Sequence, residues 1–122
     1  MLIPLRNYSN YSICESNIKI EDLVNFAEKE KLPAMALTDY KLLSGALEFS
    51  TKCKNKGIQP IIGLDVDYIS KLNHKSRLTF LCKNEIGFKN LNILSTKINT
   101  ENEFNLSLNN INNFSEGNIL IL

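Results

Sequence analysis

A chain of 122 residues suits one domain or part of one. Its 43% apolar and 22% charged residues are ordinary for a folded globular domain. A formal charge of +1 excludes a strong overall field for nucleic acid, membrane or acidic ligands and leaves only local patches.

No apolar run approaches the roughly 18 residues that span a bilayer. The first six residues carry a strand-like apolar pattern without the basic-then-apolar order of a signal peptide. Cys14, Cys53 and Cys82 are odd in number and widely spaced. They read as small apolar fillers in a reduced, cytoplasmic setting, because the paired Cys-x-x-Cys spacing of a zinc site is absent.

In chain order, residues 2–6 predict a short strand and residues 7–17 a polar stretch. Residues 20–31 predict an amphipathic helix with Leu23, Val24, Phe26 and Ala27 as its apolar stripe. Its acidic start and lysine-rich end suit the helix dipole. Pro33 breaks it, and residues 34–37 read as a strand buried on both faces, ending in Thr38-Asp39-Tyr40.

Residues 42–56 predict a second helix with Leu43, Ala46, Leu47, Phe49 and Cys53 inward and Gly57 as its C-cap. A third strand covers residues 58–64 and continues through 65–70. After a polar turn at 71–75, residues 77–82 predict its hairpin partner. Asn84 can cap a third helix over 85–97, with Phe88, Leu91, Ile93, Leu94 and Ile98 apolar.

The Asn-rich tail at 99–113 keeps a recurrence of apolar residues at Phe104, Leu106, Leu108 and Ile111, so a short helix over 106–112 is expected rather than a low-complexity segment. Ser115-Glu116-Gly117 is a turn, and residues 118–122 a last strand with one side open. Alternating strands and helices indicate an α/β fold with a mainly parallel sheet. A complete barrel of this kind needs about 250 residues, so the expectation is one partial domain over 1–122.

Four blocks carry a family resemblance. They are Leu5-Arg6-Asn7-Tyr8-Ser9-Asn10-Tyr11-Ser12, then Leu32-Pro33-Ala34-Met35-Ala36-Leu37-Thr38-Asp39-Tyr40 with Ser44 to Phe49, then Gly57-Ile58-Gln59-Pro60-Ile61-Ile62-Gly63-Leu64-Asp65, and more weakly Leu81 to Leu91. In order and spacing they resemble the start of the PHP domain of bacterial DNA polymerase III alpha subunits. The resemblance implies the N-terminal portion of a TIM-like β/α barrel.

It also implies metal-ligand positions. Where metal-binding members have His-x-His, this chain has Arg6 and Tyr8; where they have Asp-His, it has Asp39 and Tyr40; Asp65 holds the acidic position of the third block. No catalytic residue, metal or cofactor is therefore expected in this segment. The chain's one histidine, His74, lies in a polar turn and reads as a solvated surface residue. Asp39 and Asp65 are either two leftover carboxylates or, as favoured here, a loop-organising residue and a partner for Arg6.

Tyr8, Tyr11 and Tyr40 are a base-stacking platform or, as favoured, space-filling rings with satisfied hydroxyls. Gly45 and Gly63 lack a surrounding Gly-rich loop and serve packing or turns. The leading expectation is an architectural, partner-binding segment without nuclease activity, inside a parent chain that performs DNA-directed DNA synthesis. Its implied partners are the rest of the polymerase chain, the proofreading exonuclease subunit and, through the parent, DNA, with no membrane. The alternatives are an active metal-dependent phosphoesterase or 3′–5′ exonuclease domain, and a free-standing half-barrel binding protein.

Overall fold

The computed structural model describes residues 3–12, 16–101 and 104–121. Cys14, Leu2 and Leu122 lie outside them. The element order is α1 (Ile20–Lys29), β1 (Ala34–Leu37), α2 (Ala46–Asn55), β2 (Gln59–Ile69), β3 (Lys75–Cys82), α3 (Glu85–Thr100), β4 (Leu106–Ser107), α4 (Asn112–Ser115) and β5 (Asn118–Ile121).

The main sheet has the order β1-β2-β3-β5, with β4 beside β2. β1 and β4 run parallel to β2, whereas β3 is antiparallel to both β2 and β5. The α/β class holds, and the sheet is mixed. The β2–β3 connection explains why: a tight polar turn between two strands allows only an antiparallel hairpin, while β1 and β2 are joined through a helix and run parallel.

The sheet has two unlike faces, set by the period of two along each strand. Leu64, Val66, Leu78 and Phe80 point to one face and form a buried core with Leu91 and Leu94 of α3, Leu106 and Phe114. A second core joins Ile20, Leu23, Val24 and Ala27 of α1 to Met35, Leu37, Phe49 and Cys53. The opposite face carries Asp65 and Asp67, opposed in register by Thr79 and Arg77.

Several expected elements shift. Residues 3–6 form no strand. They lie along β1 in the parallel sense, with the Ala36 N–H on the Pro4 carbonyl (3.1 Å) and the Thr38 N–H on the Asn7 carbonyl (2.9 Å). Pro4 has no N–H to give. Side chains take over the ladder: Asn7 Nδ2 donates to the Ala36 carbonyl at 2.9 Å, and Thr38 Oγ1 accepts the Asn7 N–H at 3.0 Å.

The second helix begins at Ala46, not Leu42, because Lys41 is left-handed at φ 63° and its N–H bonds the Asp65 carbonyl at 2.8 Å. Within the helices, Phe26 (51% exposed) and Leu47 (80%) turn outward rather than into the apolar stripes expected of them. The expected helix at 106–112 is instead a two-residue strand on β2 followed by a turn in which Asn110 Oδ1 accepts the Ser107 N–H at 2.8 Å. α3 is longer than expected and starts at its expected cap, Asn84, whose side chain accepts the Gly87 N–H.

Candidate functional site

Asp65 is the centre of the polar face. It sits in the middle of β2, fully buried, opposite Thr79 of β3. Its Oδ1 accepts from Thr79 Oγ1 at 3.0 Å. Its Oδ2 accepts from the Tyr8 hydroxyl and from Arg6 Nη2 at 3.3 Å, with Arg77 Nη1 at 3.7 Å. Arg77 Nη1 also donates to the Tyr8 hydroxyl at 3.0 Å. Charged and neutral donors thus surround one buried carboxylate, the arrangement that makes burying a charge tolerable.

Two residues along β2, Asp67 anchors a second group. Tyr40 donates to its Oδ2 at 2.5 Å. Lys41 (3.3 Å), Lys75 (3.7 Å) and Arg77 (3.8 Å, on Oδ1) add ion pairs. Arg77 lies over the Tyr40 ring at 3.9 Å and Lys41 over the same ring at 4.9 Å, both within cation–π range. Lys41 is held in its left-handed backbone by α3: its carbonyl accepts from Ser95 Oγ and Asn99 Nδ2, each at 2.8 Å.

Asp39 belongs elsewhere. It is buried, and the loop before α1 wraps it: Ser9 N–H (2.6 Å) and Ser12 Oγ (2.7 Å) donate to Oδ1, and Ser9 Oγ (2.7 Å) to Oδ2. Ser12 Oγ in turn accepts the Tyr40 N–H at 2.9 Å. Asp39 thus ties the loop before α1 to the end of β1. The structure brings Arg6, Tyr8 and Asp65 together and moves Tyr40 to Asp67. Tyr11 reaches Glu48 at 3.3 Å instead, so the three tyrosines make no shared stacking platform.

Asp67, Arg77, Thr79 and Lys41 were not expected at the site. Asp65-x-Asp67 and Arg77-x-Thr79 are both polar pairs at strand spacing, on two strands joined by a hairpin. That alternation is the signal that could have placed Asp67, Arg77 and Thr79 on one face with Asp65; Lys41, outside both strands, carried no such signal. His74 lies in the hairpin turn, with its N–H 3.2 Å from Ser70 Oγ, remote in register from Asp65.

The ionisation of the group follows its contacts. Burial and the hydrogen bond to Asp65 push the Tyr8 phenol above its ordinary value, against the pull of Arg77. Burial and the bond to Asp67 do the same for Tyr40. For Asp67, burial alone would raise the value, but Tyr40, Lys41 and Lys75 outweigh it and hold the carboxyl low.

An acid whose folded value is raised contributes stability fully present below its unfolded value and lost as pH rises through the folded one. Tyr8 and Tyr40 should therefore hold the fold up to about pH 10 and release it above. Melting curves across pH 8 to 12, with phenolate absorbance followed in parallel, check this. Tyr8→Phe combined with Tyr40→Phe should remove most of the alkaline slope. Asp67 works in the opposite sense: its share is present above about pH 4 and fades as pH falls through its lowered value.

A family metal fits this site poorly. Among the described residues no three of His, Cys, Asp and Glu gather to hold an ion. The oxygens of Asp65 and Asp39 already accept from donors of the chain itself. Tight metal sites need three or four convergent ligands, with imidazole or thiolate preferred by zinc.

Comparison with known proteins agrees with the fold and places the chain. A DNA polymerase III subunit alpha of Chlamydia pneumoniae is 42% identical over 110 residues, covering 81% of this chain and 9% of that protein. One from Rickettsia felis is 38% identical over 101 residues, covering 83% and 8%. The chain thus spans about a tenth of the length of these relatives. In three dimensions it resembles an amidohydrolase from Chromobacterium violaceum (TM-score 0.60, 21% identity, 75% of this chain and 32% of that one). It also resembles a candidate metal-dependent phosphoesterase from Bifidobacterium adolescentis (TM-score 0.63, 12% identity, 78% and 32%). At those identities the likeness is one of fold. The PHP domain model matches residues 4–121, and the chain belongs to the PHP domain family.

Proposed function

We propose that this chain is the N-terminal PHP segment of a bacterial DNA polymerase III alpha subunit and that it is architectural, without nuclease activity of its own. DNA synthesis would belong to other parts of the parent chain. The observation that carries the reading is the buried Asp65, whose oxygens are occupied by Tyr8, Thr79 and Arg6 with Arg77 close by. By the family resemblance, Arg6 and Tyr8 stand where imidazoles would bind metal. Here they turn the carboxylate into a structural knot that ties the chain's first segment to β2 and β3.

Electrostatics supports this reading. A cation close to Asp65 would also face Arg6 and Arg77. At about 4 Å and an effective dielectric of 20, each like unit charge costs about 4 kcal/mol. Without a metal to lower the pKa of a bound water, phosphodiester hydrolysis lacks its nucleophile.

The parent polymerase and a proofreading exonuclease are the partners such a segment would serve. The absence of any helix long and apolar enough to cross a membrane, among the described residues, fits that setting. So do the free thiols of Cys53 and Cys82, which suit the cytoplasm.

Calorimetric titration with zinc and manganese, and incubation with single-stranded DNA in the presence of each ion, test the reading. The expected results are no saturable binding at micromolar metal and no cleavage. Metal-dependent cleavage by the purified chain would establish an active phosphoesterase instead.

A further inference from the structure

On the helix side of the sheet, away from Asp65, an open groove of about 770 Å³ runs between α2 and α3. Its floor includes Ile62, which shares the face of Leu64 and Val66 by strand alternation. The groove and the Asp65 cluster therefore occupy opposite faces.

Three lysines line the groove, each from a different stretch of chain: Lys54 from α2, Lys83 after β3 and Lys89 from α3. Among the described residues none of them is paired with a carboxylate, and Glu85 is the one acid in the lining. Phe88 lines the same groove, 37% exposed, while Leu91 and Leu94 of the same helix are fully buried. Ser50 and the side-chain amides of Gln59, Asn84 and Asn92 also line it; the Asn84 oxygen caps α3 and Gln59 Nε2 donates to the Pro60 carbonyl, which leaves the Asn84 NH2, the Gln59 oxygen and the Asn92 amide for a ligand.

We propose that this groove binds a short stretch of single-stranded DNA. Unpaired cations around a concave surface attract a phosphate backbone, and an exposed aromatic ring among them offers a face for base stacking. Amides carry both donors and acceptors, which suits the edges of unpaired bases. An acidic peptide would use the lysines but would leave the ring and the amides without a matched role. The proposal does not depend on how Asp65 is read.

Fluorescence anisotropy of a labelled oligothymidylate of roughly eight nucleotides, titrated with the full chain at low salt, tests it. Binding is expected, with log affinity falling against log salt at a slope near 2, from three lysines at about 0.7 each. Replacing Lys54 and Lys89 with glutamine should lower the slope to about 0.7. Phe88→Ala should weaken binding about tenfold without changing the slope, and Phe88→Tyr should keep it.

Because Phe88 is partly packed, the melting temperature of each variant is measured alongside; the lysine pair and Phe88→Tyr keep the test decisive if Phe88→Ala unfolds. No anisotropy change with the parent chain would overturn the proposal. So would equal competition by polyglutamate, which would point to an acidic protein partner, or full binding by a folded Phe88→Ala variant.

Discussion

Gly87→Ala is expected to be strongly destabilising for a change of one methyl group. Gly87 lies in the first turn of α3, and its N–H is taken by the Asn84 side chain at 3.0 Å. A Cβ there would drive into the Gly117 carbonyl oxygen, 2.6 Å from its carbon and 2.5 Å from Asn118 Oδ1. That carbonyl cannot retreat freely, since it accepts the Lys83 N–H at 2.8 Å. Gly117 itself sits at φ 78°, and a side chain there would strike the Gly87 N–H.

Two glycines thus let the start of α3 lie backbone against backbone on the turn that launches β5. Overpacking of this kind costs about 3 kcal/mol, or roughly 10 °C in melting temperature for a domain of this size. Gly57→Ala is the matched control. Gly57 also has positive φ (72°), but nothing lies within 4 Å of its Cβ position. Its cost should be only the conformational strain, about 1 kcal/mol. Equal melting temperatures for the two variants would mean that the turn swings aside and that the contact is not rigid.

The second large effect concerns Asp65. Removing it with Asp65→Ala leaves the buried Thr79 hydroxyl without its carboxylate and the Tyr8 hydroxyl and two arginines without their common acceptor. Breaking such a group from the buried side costs about 3 kcal/mol. Arg6→Ala should cost less than about 1 kcal/mol, because Arg6 is 46% exposed and contributes one bond among several.

Chemical denaturation of both variants measures the asymmetry. A residue kept for ligand binding usually burdens the unliganded fold, so an Asp65→Ala chain as stable as the parent, or more so, would remove the main support for an architectural role. Asp65→Asn should fall between, retaining the shape and part of the hydrogen bonding while losing the charge.

Much of this fold is legible along the chain because the signals are local. Pro33 and Gly57 bracket their segments, Asn84 caps α3, and the polar turn before β3 makes a hairpin. That Arg6, Tyr8 and Tyr40 stand where the family resemblance implies imidazoles is likewise an inference available in one dimension. The Arg6–Asp65 pairing could be anticipated as one of two roles for Asp65, since an arginine and a carboxylate in matching positions attract each other.

Other features needed distant residues to meet. Whether residues 3–6 form a strand depends on the side chains of Asn7 and Thr38 taking the place of ladder bonds. The late start of α2 depends on Lys41 being fastened both to Asp65 and to α3. Leu106 reads as helical by spacing, yet it pairs beside Tyr68 because β2 runs on far enough to offer it an edge. Phe26 and Leu47 fit their apolar stripes by periodicity, but among the described residues no neighbouring element covers them. Apolar spacing tells which side of a helix can be buried; which residues are buried is settled by what packs there, and that depends on contacts between segments far apart in the chain.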